Sequence, residues 1–121
     1  MAEKITEIKD YIKPVVLRVP STDDEFTLDF NRDSVVYAEE HGFIVDEISS
    51  KPVSGIQKLF WYSFRKNHRR VTEEQAKSIM DELGGIPEAV VTRLIKLYGQ
   101  AAYVNLVNDD ESKNPEGTWR L

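Results

Sequence analysis

The sequence predicts a mainly α fold: about four helices, preceded by an N-terminal β-hairpin over residues 15–30 and followed by a flexible C-terminal tail. Three observations carry that reading. Strict two-residue alternation runs through Glu25-Phe26-Thr27-Leu28-Asp29-Phe30, behind the β-branched run Val15-Val16-Leu17-Arg18-Val19. Beyond residue 31 the apolar positions recur at three- and four-residue spacing between cap and stop signals. From Asp109 to Gly117 no apolar residue occurs, so that stretch has nothing to bury. One domain over residues 1–107 and a tail over 108–121 follow, in a chain of 121 residues, long enough for a hydrophobic core.

Each element has a local cause. Residues 1–13 read as a loosely held arm in which Ile5, Ile8 and Ile12 share helical spacing until Pro14 stops it. Ser21-Thr22-Asp23-Asp24 turns the chain between two strands, and the alternation places Phe26, Leu28 and Phe30 inward with Glu25, Thr27 and Asp29 in water. A lone hairpin is marginal, so its apolar face must rest on helices. Asn31 caps a first helix with Val35, Val36 and Ala38 inward and Gly42 as its left-handed stop. Phe43, Ile44 and Ile48 anchor a connection ending at Lys51-Pro52, and Val53, Ile56, Leu59, Phe60 and Phe64 define a second helix. Thr72-Glu73-Glu74-Gln75 is a capping-box pattern for a third helix carrying Ala76, Ile79, Met80 and Leu83 and ending at Gly84-Gly85. Pro87 suits the first turn of a fourth helix, whose stripe is Val91, Leu94, Ile95, Tyr98 and Ala102, flanked by Val90, Leu97 and Val104. Gly99 inside it implies close backbone packing, since glycine there costs about 1 kcal/mol against alanine.

The second helix is unusual. Phe60, Trp61, Tyr62 and Phe64 crowd five positions; Phe60 and Phe64 share a face with Ile56, Trp61 lies about 100° around, and Tyr62 points nearly opposite. Such a helix needs more than one neighbour to cover it. A basic run follows, with Arg65, Lys66, Arg69 and Arg70 around Asn67-His68. The net charge of −5 is uneven: residues 1–50 sum to −7, residues 51–100 to +4 and residues 101–121 to −2. An acidic front and a basic middle favour self-association or a charged partner.

Composition and spacing point away from catalysis. Cysteine is absent, so no disulfide or thiolate metal site can form. His41, beside Glu39 and Glu40, suits a helix C-terminal cap, and His68 sits among positive charges; neither belongs to a His-x-x-x-His pattern. Asp23-Asp24-Glu25 and Asp109-Asp110-Glu111 lack the alternate spacing of a calcium loop, and no Gly-x-Ser-x-Gly elbow or phosphate-binding loop occurs. No catalytic, cofactor-binding or metal-binding residue is assigned, and the chain is read as a non-enzyme without a cofactor. The longest apolar runs are four residues and no secretory core is visible, which leads to the expectation of a soluble protein of the cytoplasm with no membrane partner. The basic patch offers a nucleic-acid site, but the next helix opens on Thr72-Glu73-Glu74, which would turn carboxylates toward phosphate.

The order of these features resembles a known family. Phe26-Thr27-Leu28-Asp29-Phe30 leads into Asn31-Arg32-Asp33-Ser34-Val35-Val36, then Glu39-Glu40 and Gly42-Phe43. Lys51-Pro52, the aromatic helix to Asn67-His68-Arg69, the Thr72-Glu73-Glu74 helix, Leu94 to Tyr98, and Asn114 to Trp119 complete the series. It looks like small tail-region proteins of siphophages and prophages of Gram-positive bacteria, which are similar to lambda-type tail assembly chaperones. The resemblance implies a bacterial cytoplasmic protein that coats the tape-measure protein and recruits tail tube subunits, without catalysis. It carries no catalytic residues. Phe60, Trp61, Tyr62 and Tyr98 are the expected partner contacts, with Trp119 as a tail anchor. The alternatives are a structural virion protein of the tail or neck, and a nucleic-acid-binding regulator using Arg65, Lys66, Arg69 and Arg70.

Overall fold

The computed structural model describes residues 12–103. Strands β1 (Val15–Arg18) and β2 (Glu25–Leu28) pair antiparallel, with Val15 opposite Leu28 and Leu17 opposite Phe26. Four helices follow: α1 (Arg32–Glu40), α2 (Pro52–Tyr62), α3 (Glu73–Leu83) and α4 (Glu88–Ala102), with a 3-10 turn at Val45–Ser49 between the first two. The described chain is mainly α with an N-terminal hairpin, as predicted. The predicted tail over 108–121, Val104, Trp119 and residues 1–11 of the arm lie outside the described residues. Ile12 donates its N–H to Gln100 Oε1 on α4 at 3.0 Å.

The caps form where the side chains call for them. Asn31 Oδ1 accepts the Ser34 N–H at 2.8 Å while Ser34 Oγ accepts the Asn31 N–H at 2.9 Å, a reciprocal pair. Thr72 and Gln75 make the same exchange at the start of α3. Gly42 and Gly84 take positive φ, at 81° and 73°, where the helices stop.

Helix α2 is the centre. It packs against the 3-10 turn, α3, α4 and α1, which is how a helix apolar around most of its girth is covered. Leu28, Phe30, Val35, Ala38, Phe43, Ile48, Leu59, Phe60, Phe64, Ala76, Leu94 and Leu97 form one continuous core. Burying the larger of these, the leucine, isoleucine, valine and phenylalanine side chains, is worth about 1.5–3 kcal/mol each. Gly55 is where two backbones approach: a Cβ there would stand 3.0 Å from the Cα of Ile48.

Several expectations are corrected. Helix α2 begins at Pro52 and ends at Tyr62, so Phe64 reaches the core from the following turn. Val53, expected inward, is exposed in the first turn of α2. Val36 is exposed beside the buried Val35. On α4 the buried residues are Leu94, Leu97, Tyr98 and Ala101, and Ile95 is outside; the helix is turned toward its Leu97 side. Pro87 precedes α4 as its cap. A Cβ added at Gly99 would meet nothing within 4 Å, so no close packing requires glycine there. Asp29, expected in water, is 3% exposed, because β2 ends at Leu28 and the alternation ends with it.

Candidate interaction surface

The turn after α2 decides how the basic run is used. Asp29 is drawn inside by two bonds: Oδ1 accepts the Phe30 N–H at 2.8 Å, and Oδ2 accepts from Lys66 Nζ at 2.6 Å. Thr27 donates its N–H to His68 Nε2 at 2.9 Å and accepts from Asn67 Nδ2 at 3.2 Å, while the Asp29 N–H reaches the Ser63 carbonyl at 3.0 Å. Residues 63–68 therefore cover the outer edge of β2 in place of a third strand. His68 also packs edge-on against Phe26, with centroids 5.0 Å apart. His41 lies at the end of α1, its Nδ1–H donating to the Tyr37 carbonyl at 2.7 Å and its ring 4.1 Å from that of Tyr37.

Arg65 leaves the run in another direction. Its guanidinium sits over the Tyr37 ring, 3.5 Å from the centroid, a cation–π contact. Arg69 and Arg70 remain exposed and pair with no carboxylate among the described residues. The patch expected as one surface is thus divided: Lys66 holds a buried carboxylate, Arg65 stacks, and two arginines face out.

Of the expected partner contacts, three are core residues. Phe60 is 2% exposed and meets Phe64 edge to face; Tyr62, also 2%, lies against Phe43 and Tyr37; Tyr98, 4%, is held between Phe30 and Phe43. All three thus serve the packing of the core, and Tyr62 in addition lines the hollow that Trp61 borders. Burial pushes the Tyr98 phenol up to about 12, with Glu39 and Tyr62 adding to it, and burial raises Tyr62 as well, helped by Glu73 and Tyr37. Among the expected contacts within the described residues, Trp61 is half-buried. Its Nε1–H donates to the Val71 carbonyl at 3.2 Å, and Lys58 Nζ stands 5.7 Å from its ring.

Trp61 and Tyr37 wall a cavity of about 240 Å³ whose other sides are Arg65, Arg69, Arg70 and the start of α3. Glu73, on the same wall, is bound by Lys58 at 2.6 Å. A second hollow of about 480 Å³ runs between the hairpin and α3, over Val19, Phe26, Val71 and Ile79. Ser21 bridges its rim to Glu82 through both its N–H (3.0 Å) and its hydroxyl (2.7 Å).

The sequence matches the family described as "Domain of unknown function (DUF5055)" over residues 1–120. The chain belongs to the DUF5055 family. Comparison with curated proteins and with solved structures gives no match. The DUF5055 match takes in the hairpin, all four described helices and both hollows.

Chemically, this DUF5055 surface offers recognition groups. Among the described residues no three of His, Asp and Glu stand together as metal ligands, and both histidines are engaged in hydrogen bonds to backbone groups. No described helix is long and apolar enough to cross a membrane. The surface presents exposed guanidinium groups beside an indole, and a hollow in which Val19, Phe26, Val71 and Ile79 are ringed by polar and acidic side chains. Tyr37 and Val71 are site residues that sequence reasoning missed. The Tyr37–His41 pair at i, i+4 was the available signal for the first; nothing local marks the second.

Proposed function

We propose that this chain is a phage or prophage tail assembly chaperone, binding the tape-measure protein and recruiting tail tube subunits without chemistry. The ordered series from Phe26 to Trp119 that resembles such proteins supports the reading. The structural observation that carries it is the hollow between the hairpin and α3. A fold with a complete core keeps Phe26, Val71 and Ile79 only half-covered along one furrow. An amphipathic helix laid there would complete their burial, at the modest affinity a transient coat requires. Trp61 adds a second, aromatic contact beside it. The division of the basic run, with Lys66 and Arg65 turned to internal partners, leaves two outward arginines and disfavours a track along nucleic acid.

Co-expression with a tape-measure polypeptide and affinity capture is the direct experiment. A complex is expected that is lost in Ser78→Arg, which fills the hollow from an exposed position without touching the core. Failure to co-purify, or a complex indifferent to Ser78→Arg and Trp61→Ala, overturns the reading. Abundant copies of the chain in purified virions would favour a structural tail or neck protein instead.

A further inference from the structure

We infer that the hollow between the hairpin and α3 takes an amphipathic helix whose apolar stripe is flanked by lysine or arginine. This rests on the chaperone reading only for the premise that a helix lies there; the charge of its flanks is new. Half-covered Phe26, Val71 and Ile79 floor the hollow of about 480 Å³. Three carboxylates stand around that floor, Asp24 on the hairpin and Glu74 and Glu82 on α3, and among the described residues no lysine or arginine lines it. Nor does any of the three form an ion pair among the described residues; Glu82 is bound by Ser21, a neutral partner. Arg18, the one cation in the hairpin, pairs with Asp23. The rim is therefore negative and uncompensated.

The spacing of the rim specifies the occupant. Glu74, Ser78 and Glu82 recur every four residues along one edge of α3, so the two carboxylates stand about 12 Å apart along the axis with a small residue between them. They address two separate cations, which suits basic side chains about seven or eight residues apart on a helix laid beside α3. The small Ser78 lets that helix approach, and its apolar stripe then meets Val71 and Ile79. Asp24 stands on the opposite rim, so basic residues are called for on both flanks of the stripe. Lysine and arginine suit the role because their methylene stems lie along apolar surface while the charge reaches the rim. Carboxylates on both sides repel phosphate, which makes nucleic acid the wrong partner for this face. An acidic helix with the same stripe is rejected for the same reason.

Two fluorescein-labelled helical peptides of about 15 residues, long enough to span α3, test this on the full, unaltered chain. They share one leucine stripe and differ only in their flanks, lysine in one and glutamate in the other. Each exposed ion pair is worth a factor of up to about five. By fluorescence anisotropy the lysine peptide is therefore expected to bind at least about tenfold tighter at about 50 mM NaCl, and to lose most of that preference at about 0.5 M NaCl. Glu74→Gln with Glu82→Gln should weaken the lysine peptide about three- to tenfold, and Asp24→Asn about two- to fivefold, neither weakening the glutamate peptide. Amide shifts on binding should centre on Val71, Ser78 and Ile79. Equal affinities, a preference for glutamate, a preference untouched by the neutralised variants, or shifts that spare those three residues overturn the proposal. Capture of a tape-measure polypeptide is a separate readout. Capture undiminished by Glu74→Gln with Glu82→Gln leaves the chaperone reading standing and overturns this inference. A lysine preference seated at Val71 and Ile79 without capture supports this inference and overturns that reading.

Discussion

Lys66 Nζ stands 2.6 Å from Asp29 Oδ2, joining the turn after α2 to the end of the hairpin across 37 positions of sequence. The Asp29 side chain is 4% exposed and that of Lys66 33%, so the pair is buried on one side only. Removing Lys66 leaves a charge inside with its Phe30 N–H bond alone. Lys66→Met is therefore expected to cost about 2–3 kcal/mol in urea unfolding, below the full value for a buried pair because Lys66 is partly hydrated. Asp29→Asn keeps an acceptor for Phe30 and should cost less, about 1–2 kcal/mol. The double variant should lose less than the sum, and additive losses would refute the coupling.

Two glycines in helices make a matched comparison. Alanine is favoured over glycine in a helix by about 1 kcal/mol. At Gly99 nothing opposes that gain, so Gly99→Ala should raise stability by up to ~1 kcal/mol. At Gly55 the added methyl meets Ile48 Cα and Cγ1 at 3.0 Å, and Cα belongs to a backbone that cannot step aside cheaply. Overpacking of this kind costs about 1–3 kcal/mol, so Gly55→Ala should be no more stable than the parent and up to ~2 kcal/mol less. Thermal unfolding of both variants decides it; a stabilised Gly55→Ala would mean that the 3-10 turn yields.

What could be read in the sequence was what neighbouring residues decide. The caps at Asn31 and Thr72, the stops at Gly42 and Gly84, and the alternation through Phe26 and Leu28 are local rules, and they hold. Helix α4 shows where locality ends. It carries apolar residues around more than half its circumference, so the choice between Ile95 and Leu97 falls to the neighbouring helices. Asp29 continues the alternation in sequence, yet its burial depends on a lysine from a distant turn. The site was legible only as a cluster of basic and aromatic residues. Which of them face out was not, because Tyr37 and Asp29, the partners that draw Arg65 and Lys66 away, come from other elements.

Alkaline pH should unfold the protein through its tyrosines. Tyr98 is pushed up to about 12 and Tyr62 is raised too, both chiefly by burial, whereas the unfolded chain ionises near the ordinary value of about 10. The folded state thus favours the neutral phenols. Their contribution is intact below pH 10 and is lost as pH rises from about 10 through about 12. Absorbance at 295 nm should show incomplete ionisation of the five tyrosines while helical circular dichroism persists, and the remainder only as it collapses. Tyr98→Phe should shift that collapse to higher pH. Ionisation of all five near pH 10 with the helices intact would contradict the burial argument.

His68 carries the covering of β2, and its ring does two separable things. The Nε2 lone pair takes the Thr27 N–H at 2.9 Å, and the ring makes edge-type contacts with Phe26 and Phe64. His68→Phe preserves the packing and removes the acceptor, leaving a half-buried backbone donor unpaired. The expected loss is about 1–3 kcal/mol, with hydrogen exchange at the Thr27 amide accelerated well beyond that of Leu28. His68→Ala should lose both contributions and be weaker still. Since Asn67 donates to the Thr27 carbonyl from the next position, Asn67→Ala combined with His68→Phe strips the strand edge of its side-chain cover. An uncovered edge is a template for pairing with another chain, so the double variant should also show concentration-dependent association by light scattering. A monomeric double variant with an unchanged Thr27 exchange rate would mean that the Ser63–Asp29 backbone bond alone keeps the edge closed.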